Sequence, residues 1–157
     1  MPTDEVQIKR IPAVRVAELT ATAASFEPAS IGPVIGPLYD ELSRLLDRAG
    51  LTPTGPAIAS YEDAPEGGGV LVHATIPVDA DPDHDHGFSI VELPEIDQAA
   101  TIVHRGSMDD VMPTIQTLAR WIDANGYRSA GYRELYLELG EDRDRWVTEL
   151  QEPIATS

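Results

Sequence analysis

The 157-residue chain has the length of one ordinary domain, and its 42% hydrophobic and 24% charged residues are typical of a globular protein. It has no cysteine, which excludes disulfides, thiolate catalysis and zinc–sulfur sites. Eleven basic residues against 27 acidic ones give a net charge of −16, which disfavours direct nucleic-acid binding and favours either solubility alone or the attraction of cations.

In chain order, the first predicted strand spans Val6–Ala21 and is interrupted near its start by proline. A helix follows from about Ile35, because apolar residues recur there at spacings of three and four. Pro37 is expected in its first turn; the alternative is a kink of the helix at this proline. A hairpin of Gly55–Glu62 with Val70–Val78 completes this first half. The second half predicts the same series of elements.

In that second half, Phe88–His104 is the proline-interrupted strand and the helix begins near Val111, with Pro113 in its first turn. The closing hairpin pairs Gly131–Glu138 with Arg145–Ile154. Both halves therefore predict a strand, a helix and two strands.

Caps are predicted at the ends of both helices. Ser107, followed by Asp110, resembles a capping box, which explains Ser107 without a catalytic pairing to His104. Gly50 and Gly126 stand where a left-handed C-terminal cap belongs.

The two halves are copies of one unit. The aligned segments are Gly36–Leu42 with Met112–Leu118, Ala74–Val78 with Leu150–Ile154, and Ile8–Pro12 with Ile90–Pro94. The offset is 76 residues for the first two pairs and 82 for the third, and a longer loop in the first copy absorbs the difference. We expect one domain over residues 1–157, with repeat one at about 5–79, a linker at 80–87 and repeat two at about 88–155.

This organisation predicts an α+β fold. Tandem duplicated β-α-β-β units are expected to form a curved antiparallel sheet, with two helices on one face and a ligand groove on the other. No segment approaches the ~20 apolar residues of a membrane span, and no apolar stretch follows the polar N-terminus. We expect a cytoplasmic protein with no membrane partner.

Strand alternation predicts which side chains face the groove. Leu135 and Leu137 are expected to cover the helix, which places Tyr132, Glu134 and Tyr136 on the opposite side. A carboxylate between aromatic rings is suited to hold an organic cation. The alternative is that both tyrosines are ordinary exposed sheet residues.

A second carboxylate, Glu149, is expected beside Glu134 if Leu150 faces the helix; the alternative is a solvated strand carboxylate. The 76-residue offset projects these positions onto the first copy. The projected pairs are Ile58 with Glu134, Ser60 with Tyr136, and His73 with Glu149. Copies with unequal chemistry are what a small-molecule pocket between them would require.

Metals and cofactors are not expected. The segment Asp81–His86 contains residue types that bind divalent cations, but acidic linkers of this kind are usually solvated. No glycine-rich phosphate loop follows a strand.

The second copy resembles the GyrI-like small-molecule-binding domain, most specifically in Arg133–Leu137 and Thr148–Pro153. The resemblance covers about residues 5–155 and extends to the effector-binding regions of MerR-type and some AraC-type multidrug regulators. It implies a groove for hydrophobic, often cationic aromatic ligands, with ligand-facing glutamates at Glu134 and Glu149. The chain departs from the family where Ser107-Met108-Asp109 replaces a commonly found tyrosine.

From this resemblance and the residues above we expect reversible binding of a cationic aromatic molecule, for effector sensing or drug sequestration. The expected ligand contacts are Glu134, Tyr132, Tyr136, Glu149, His73 and Ile58. The sequence contains no DNA-binding helix-turn-helix of its own, so regulation would need a fused or partner DNA-binding domain. The alternative is a hydrolase in which Glu134 and Glu149 open strained cyclopropane or epoxide rings, a reaction that the resemblance implies for some relatives.

Overall fold

The computed structural model describes residues 6–64, 68–79 and 88–156, in two compact units. The terminal unit comprises Met1–Pro12 and Glu95–Ser157, and the middle unit comprises Ala13–Pro94. The elements in chain order are β1 Gln7–Ile11, β2 Val14–Ala23, α1 Pro28–Ala49, β3 Ile58–Asp63, β4 Val70–Pro77, β5 Ser89–Leu93, β6 Ile96–Arg105, α2 Val111–Ala124, β7 Tyr127–Ser129, β8 Arg133–Glu138 and β9 Val147–Thr156. Every strand pairing within the two units is antiparallel.

The middle unit has the strand order β5-β2-β4-β3. Helix α1 packs on the face that carries the odd-numbered residues of β2 and the even-numbered residues of β4. Buried apolar side chains from the helix and the strands form two clusters there: Ala17, Leu42, Leu46, Ile76 and Val78; and Ala23, Ile31 and Val72. The core of this unit is therefore apolar and lies between the helix and the sheet.

The terminal unit has the strand order β1-β6-β9-β8, and β7 also pairs with β9. Its core lies between one face of the sheet and α2, together with residues just before that helix. The buried members are Ala100, Ile102, Val111, Leu118, Ile122, Leu150 and Ile154.

In the structure, each of the two long strands that the sequence predicted is divided into two separate strands. Proline has no amide hydrogen to donate to a strand ladder, and Pro12 and Pro94 fall at the breaks between β1 and β2 and between β5 and β6. As a result β1 pairs with β6, and β5 pairs with β2. Each repeat thus contributes its first strand to the unit that holds the rest of the other repeat.

Helix α1 begins earlier than the sequence predicted. It begins at Pro28, so Pro33 and Pro37 lie inside the helix, and the expectation that Pro37 belongs to the first turn is wrong. Ile31, Leu42 and Leu46 are buried in the two core clusters of the middle unit, and this packing outweighs the lost amide donors.

Helix α2 agrees with the prediction: it begins at Val111 and Pro113 lies in its first turn. Ser107 caps the short 3-10 turn before it, where its Oγ accepts from the amide of Asp109 at 3.1 Å. Gly50 and Gly126 have the left-handed φ values of 73° and 78°, as expected for C-terminal caps.

Both predicted hairpins are present, as β3 with β4 and β8 with β9. The α+β class built from repeated β-α-β-β units is confirmed. Within the described ranges, neither helix is long and apolar enough to cross a membrane.

Candidate functional site

The pairing register of β6, β9 and β8 places Glu134 on the face that packs against α2. Residues paired across an antiparallel ladder have their side chains on the same face. Leu150 of the core pairs with Ile102 on one side and with Glu134 on the other. The Glu134 carboxylate therefore adjoins the apolar core of the terminal unit.

The predicted faces of β8 are therefore wrong. Leu135 pairs with Glu149 and lies on the opposite face from Leu150, and Leu137 is 42% exposed. Neither leucine belongs to the core cluster, whereas Tyr132 packs against it. The Tyr-Glu-Tyr face and the helix share one side of the sheet.

Two tyrosines hold the Glu134 carboxylate. The hydroxyl of Tyr132 donates to Oε2 at 2.8 Å, and the hydroxyl of Tyr136 donates to Oε1 at 2.7 Å. Glu134 is only 4% exposed. Hydrogen bonds to a charged acceptor are among the stronger ones in proteins, so the two hydroxyls fix the orientation of the carboxylate. They contribute no positive charge.

Further polar groups lie on the same face. Thr148 pairs with Tyr136 and is fully buried, and its Oγ1 has no hydrogen-bond partner in the described part of the chain. Glu152 is also buried, and burial raises the pKa of its carboxyl group, although a hydrogen bond from Ser129 acts in the opposite direction. The sequence-based prediction missed both residues. Their even spacing from Leu150, which packs in the core cluster with α2, is the signal that identifies them.

His104, on this face of β6, has a structural role. Its Nε2 lies 2.9 Å from the carbonyl oxygen of Ser107, and its Nδ1 lies 2.8 Å from the hydroxyl oxygen of Thr114. A ring that donates from Nε2 and accepts at Nδ1 satisfies both contacts. The histidine thereby fastens the start of α2 to the sheet.

Glu149 lies on the opposite face from Glu134, which contradicts the prediction that both face one substrate. Its Oε2 pairs with Lys9 Nζ at 2.7 Å, and its Oε1 accepts from Gln151 Nε2 at 2.9 Å. This carboxylate already has a cationic partner within the terminal unit, on strand β1.

Arg133 is buried on the same face as Glu149, since it pairs with Gln151. Desolvation lowers the pKa of its guanidinium group from the usual value. This face therefore carries buried charge of both signs.

His73 and Ile58 belong to the middle unit. His73 Nδ1 lies 3.0 Å from Glu18 Oε2, and His73 Nε2 lies 3.6 Å from Glu62 Oε2. The side chain of Ile58 is buried, and its carbonyl oxygen accepts a hydrogen bond from Thr75 at 2.6 Å. Their predicted role in ligand binding stays a prediction.

The projection of β8 onto β3 is wrong by one residue. The 76-residue offset relates Leu150 to Ala74, and Ala74 pairs with Ala59. Ala59 is therefore the counterpart of Glu134, where Ile58 was expected. In the same way Tyr61, which pairs with Val72, is the counterpart of Tyr136, where Ser60 was expected. The segment before the hairpin is one residue shorter in the second copy, and the glycine match at Gly55 and Gly131 hid this difference.

In the described part of the chain, no group of three or more histidine or acidic residues is arranged to hold a metal ion. The candidate segment Asp81–His86 lies outside the described residues.

The family model for the GyrI-like small molecule binding domain matches residues 4–155. Comparison with curated protein sequences gives no match. Among solved structures, the EcmrR C-terminal domain is 24% identical with a TM-score of 0.78, and the alignment covers 98% of both chains. The EcmrR chain in a complex with DNA gives the same identity and TM-score, but the present chain spans only 58% of its length.

SAV2435 bound to tetraphenylphosphonium is 12% identical with a TM-score of 0.68, and the alignment covers 96% of this chain and 94% of that one. A hydrolase from Listeria innocua is 12% identical with a TM-score of 0.60, over 99% of this chain and 94% of that one. At these identities the structural likenesses show a shared fold.

Proposed function

We propose, because the chain belongs to the family of GyrI-like small molecule binding domains, that its terminal unit binds a lipophilic organic cation with Glu134 as the counterion. The observation that carries the proposal is the buried carboxylate held by two tyrosine hydroxyls. Tyr132 and Tyr136 provide aromatic rings next to that charge.

The electrostatic argument concerns the cost of burying Glu134. Removing a carboxylate from water costs several kcal/mol, because the charged form loses its hydration. A bound cation adds a direct charge–charge attraction in a poorly solvated environment, where it is much stronger than in water. Glu134 is therefore suited to bind a hydrophobic cation better than a neutral molecule of the same shape.

A structural neighbour supports this class of ligand. SAV2435, which has the same fold, was determined with bound tetraphenylphosphonium, a lipophilic aromatic cation. The net charge of −16 further favours cations over anions near the protein surface.

Binding would serve either effector sensing or drug sequestration. The EcmrR C-terminal domain, similar over 98% of this chain, is part of a protein solved in complex with DNA. In the sensing alternative, DNA contacts of this protein would come from a fused or partner domain, because the charge of the present chain opposes binding to phosphates.

The hydrolase alternative required Glu134 and Glu149 to act on one substrate. The two carboxylates lie on opposite faces of the sheet, and Glu149 is paired with Lys9. We therefore do not retain that mechanism.

Titration calorimetry with tetraphenylphosphonium tests the proposal. Glu134→Gln keeps the size of the side chain, removes the charge and exchanges one acceptor oxygen for an NH2 group, from which a tyrosine hydroxyl can accept. We expect binding to weaken by about 1.5–3 kcal/mol. Glu138→Gln is the matched control, because it removes one exposed charge from the same strand. Equal binding by wild type and Glu134→Gln would contradict the counterion role.

A further inference from the structure

Glu152 is a second buried carboxylate on the face that carries Glu134. It is 8% exposed and pairs with Ala100 of the core, two residues along β9 from Leu150. Since Leu150 pairs directly with Glu134, Glu152 is its diagonal neighbour, and such positions are about 7–8 Å apart. The two carboxylates therefore lie within the span of one small molecule.

A third polar group lies on the other side of Leu150. Thr148 is fully buried, and its Oγ1 finds no hydrogen-bond partner among the described residues. A buried hydroxyl without a partner costs roughly 1–3 kcal/mol, so its retention beside Tyr136 indicates a group that a ligand satisfies. The carboxylates of Glu134 and Glu152 and the hydroxyl of Thr148 thus belong to three residues that neighbour Leu150 on this face.

The middle unit has none of these groups at the matching positions. The 76-residue offset relates Thr148 to Val72 and Glu152 to Ile76, both buried and apolar. The fold of the unit therefore does not require polar side chains there.

We propose that this site takes an aromatic dication, with one cationic centre at Glu134 and the second at Glu152. The inference rests on the proposed function, since it assigns a second anchor to the same ligand. Two carboxylates on one face repel each other when both are charged, and burial favours the protonated form of Glu152. A ligand with two positive charges places one cationic centre beside each carboxylate.

The test compares two probes of nearly the same shape. N,N′-dimethyl-4,4′-bipyridinium has two permanent positive charges, and N-methyl-4-phenylpyridinium has one. Because neither charge titrates, the ligands do not change with pH. Affinities are measured by titration calorimetry for wild type, Glu152→Gln, Glu134→Gln and Glu149→Gln, and circular dichroism verifies that each variant is folded. Glu149→Gln is the matched control, because it removes a buried charge from the same strand on the opposite face.

We expect wild type to bind the dication about tenfold more tightly than the monocation, or better. Glu152→Gln is expected to lose that preference while it keeps its affinity for the monocation, and Glu149→Gln is expected to retain both. Equal affinities of wild type for the dication and the monocation would overturn the inference, and so would a Glu152→Gln variant that still binds the dication more tightly. In either case, monocation binding that depends on Glu134 would leave the proposed function intact. Absence of binding of both probes to wild type would overturn both proposals.

Discussion

Strand β8 of the terminal unit and strand β3 of the middle unit occupy matching positions in two copies of one unit, yet they bury opposite kinds of side chain. Glu134 and its neighbour Thr148 correspond to Ala59 and Val72, both fully buried. The tyrosine is common to both, as Tyr136 and Tyr61. The comparison shows that the repeated unit accepts an apolar residue at this position as well as a buried carboxylate.

The largest expected effect on stability comes from placing a carboxylate at the matching position of the middle unit. Ala59→Glu puts a charge where the described part of the middle unit offers only Tyr61 on the same strand face, because Ala57 occupies the position that corresponds to Tyr132. We expect the free energy of unfolding to fall by about 3–5 kcal/mol, measured by urea denaturation.

Ala59→Gln is the matched control for that substitution, since it adds nearly the same volume without the charge. We expect it to lose less stability than Ala59→Glu. If both variants were equally stable, volume alone would explain the loss, and the difference between the copies would not be electrostatic.

The second prediction concerns how much the hydroxyl of Tyr136, through its hydrogen bond to Glu134, contributes to the free energy of unfolding. Tyr136→Phe removes the hydroxyl that donates to Oε1 and leaves a buried carboxylate oxygen with one donor fewer. We expect a loss of about 1.5–3 kcal/mol in unfolding free energy. In a double-mutant cycle with Glu134→Gln the loss should shrink, because the charged acceptor is absent.

The matched variant is Tyr61→Phe in the middle unit, where the neighbouring residue on the same face of the strand is Ala59 rather than a carboxylate. Its loss in unfolding free energy gives the contribution of the corresponding tyrosine hydroxyl where the adjacent residue on the same strand face is apolar. Additive effects of Tyr136→Phe and Glu134→Gln would show that the observed contact contributes little to stability.

Part of this comparison was predictable from the sequence. Proline and glycine positions and the apolar spacing in α2 locate the strand breaks, the turns and the second helix, because these residues restrict the backbone wherever they occur. The condition that Leu150 faces the helix is met, since Leu150 packs in the core cluster with α2. The predicted start of helix α1 was too late in the chain, because Pro33 and Pro37 were not expected inside a helix that packing stabilises.

The partner of Leu150 on the neighbouring strand was not predictable in the same way. A shift of one residue in register exchanges the two faces of a strand, and β8 offers leucines on one face and tyrosines on the other. Only the observed pairing of Glu134 with Leu150 decides between them. For the same reason Glu149 was placed with Glu134, while Glu152, on the correct face, was overlooked.

The smallest expected effect concerns Glu152, which corresponds to buried Ile76 in the middle unit. Burial raises the pKa of Glu152 above its usual 4.5, so the folded state holds this proton more tightly than the unfolded state. The stabilisation from the bound proton is complete below the unfolded pKa and is lost as the pH rises through the folded pKa. Glu152→Gln does not titrate, so its melting temperature relative to wild type should increase as the pH rises from about 4.5 to 7. Thermal melts of Glu138→Gln, an exposed carboxylate, provide the control, and its difference from wild type should stay nearly constant. A Glu152→Gln difference that is flat or falls over this range would show that Glu152 titrates as an exposed residue does, and that the terminal unit tolerates its charge without cost.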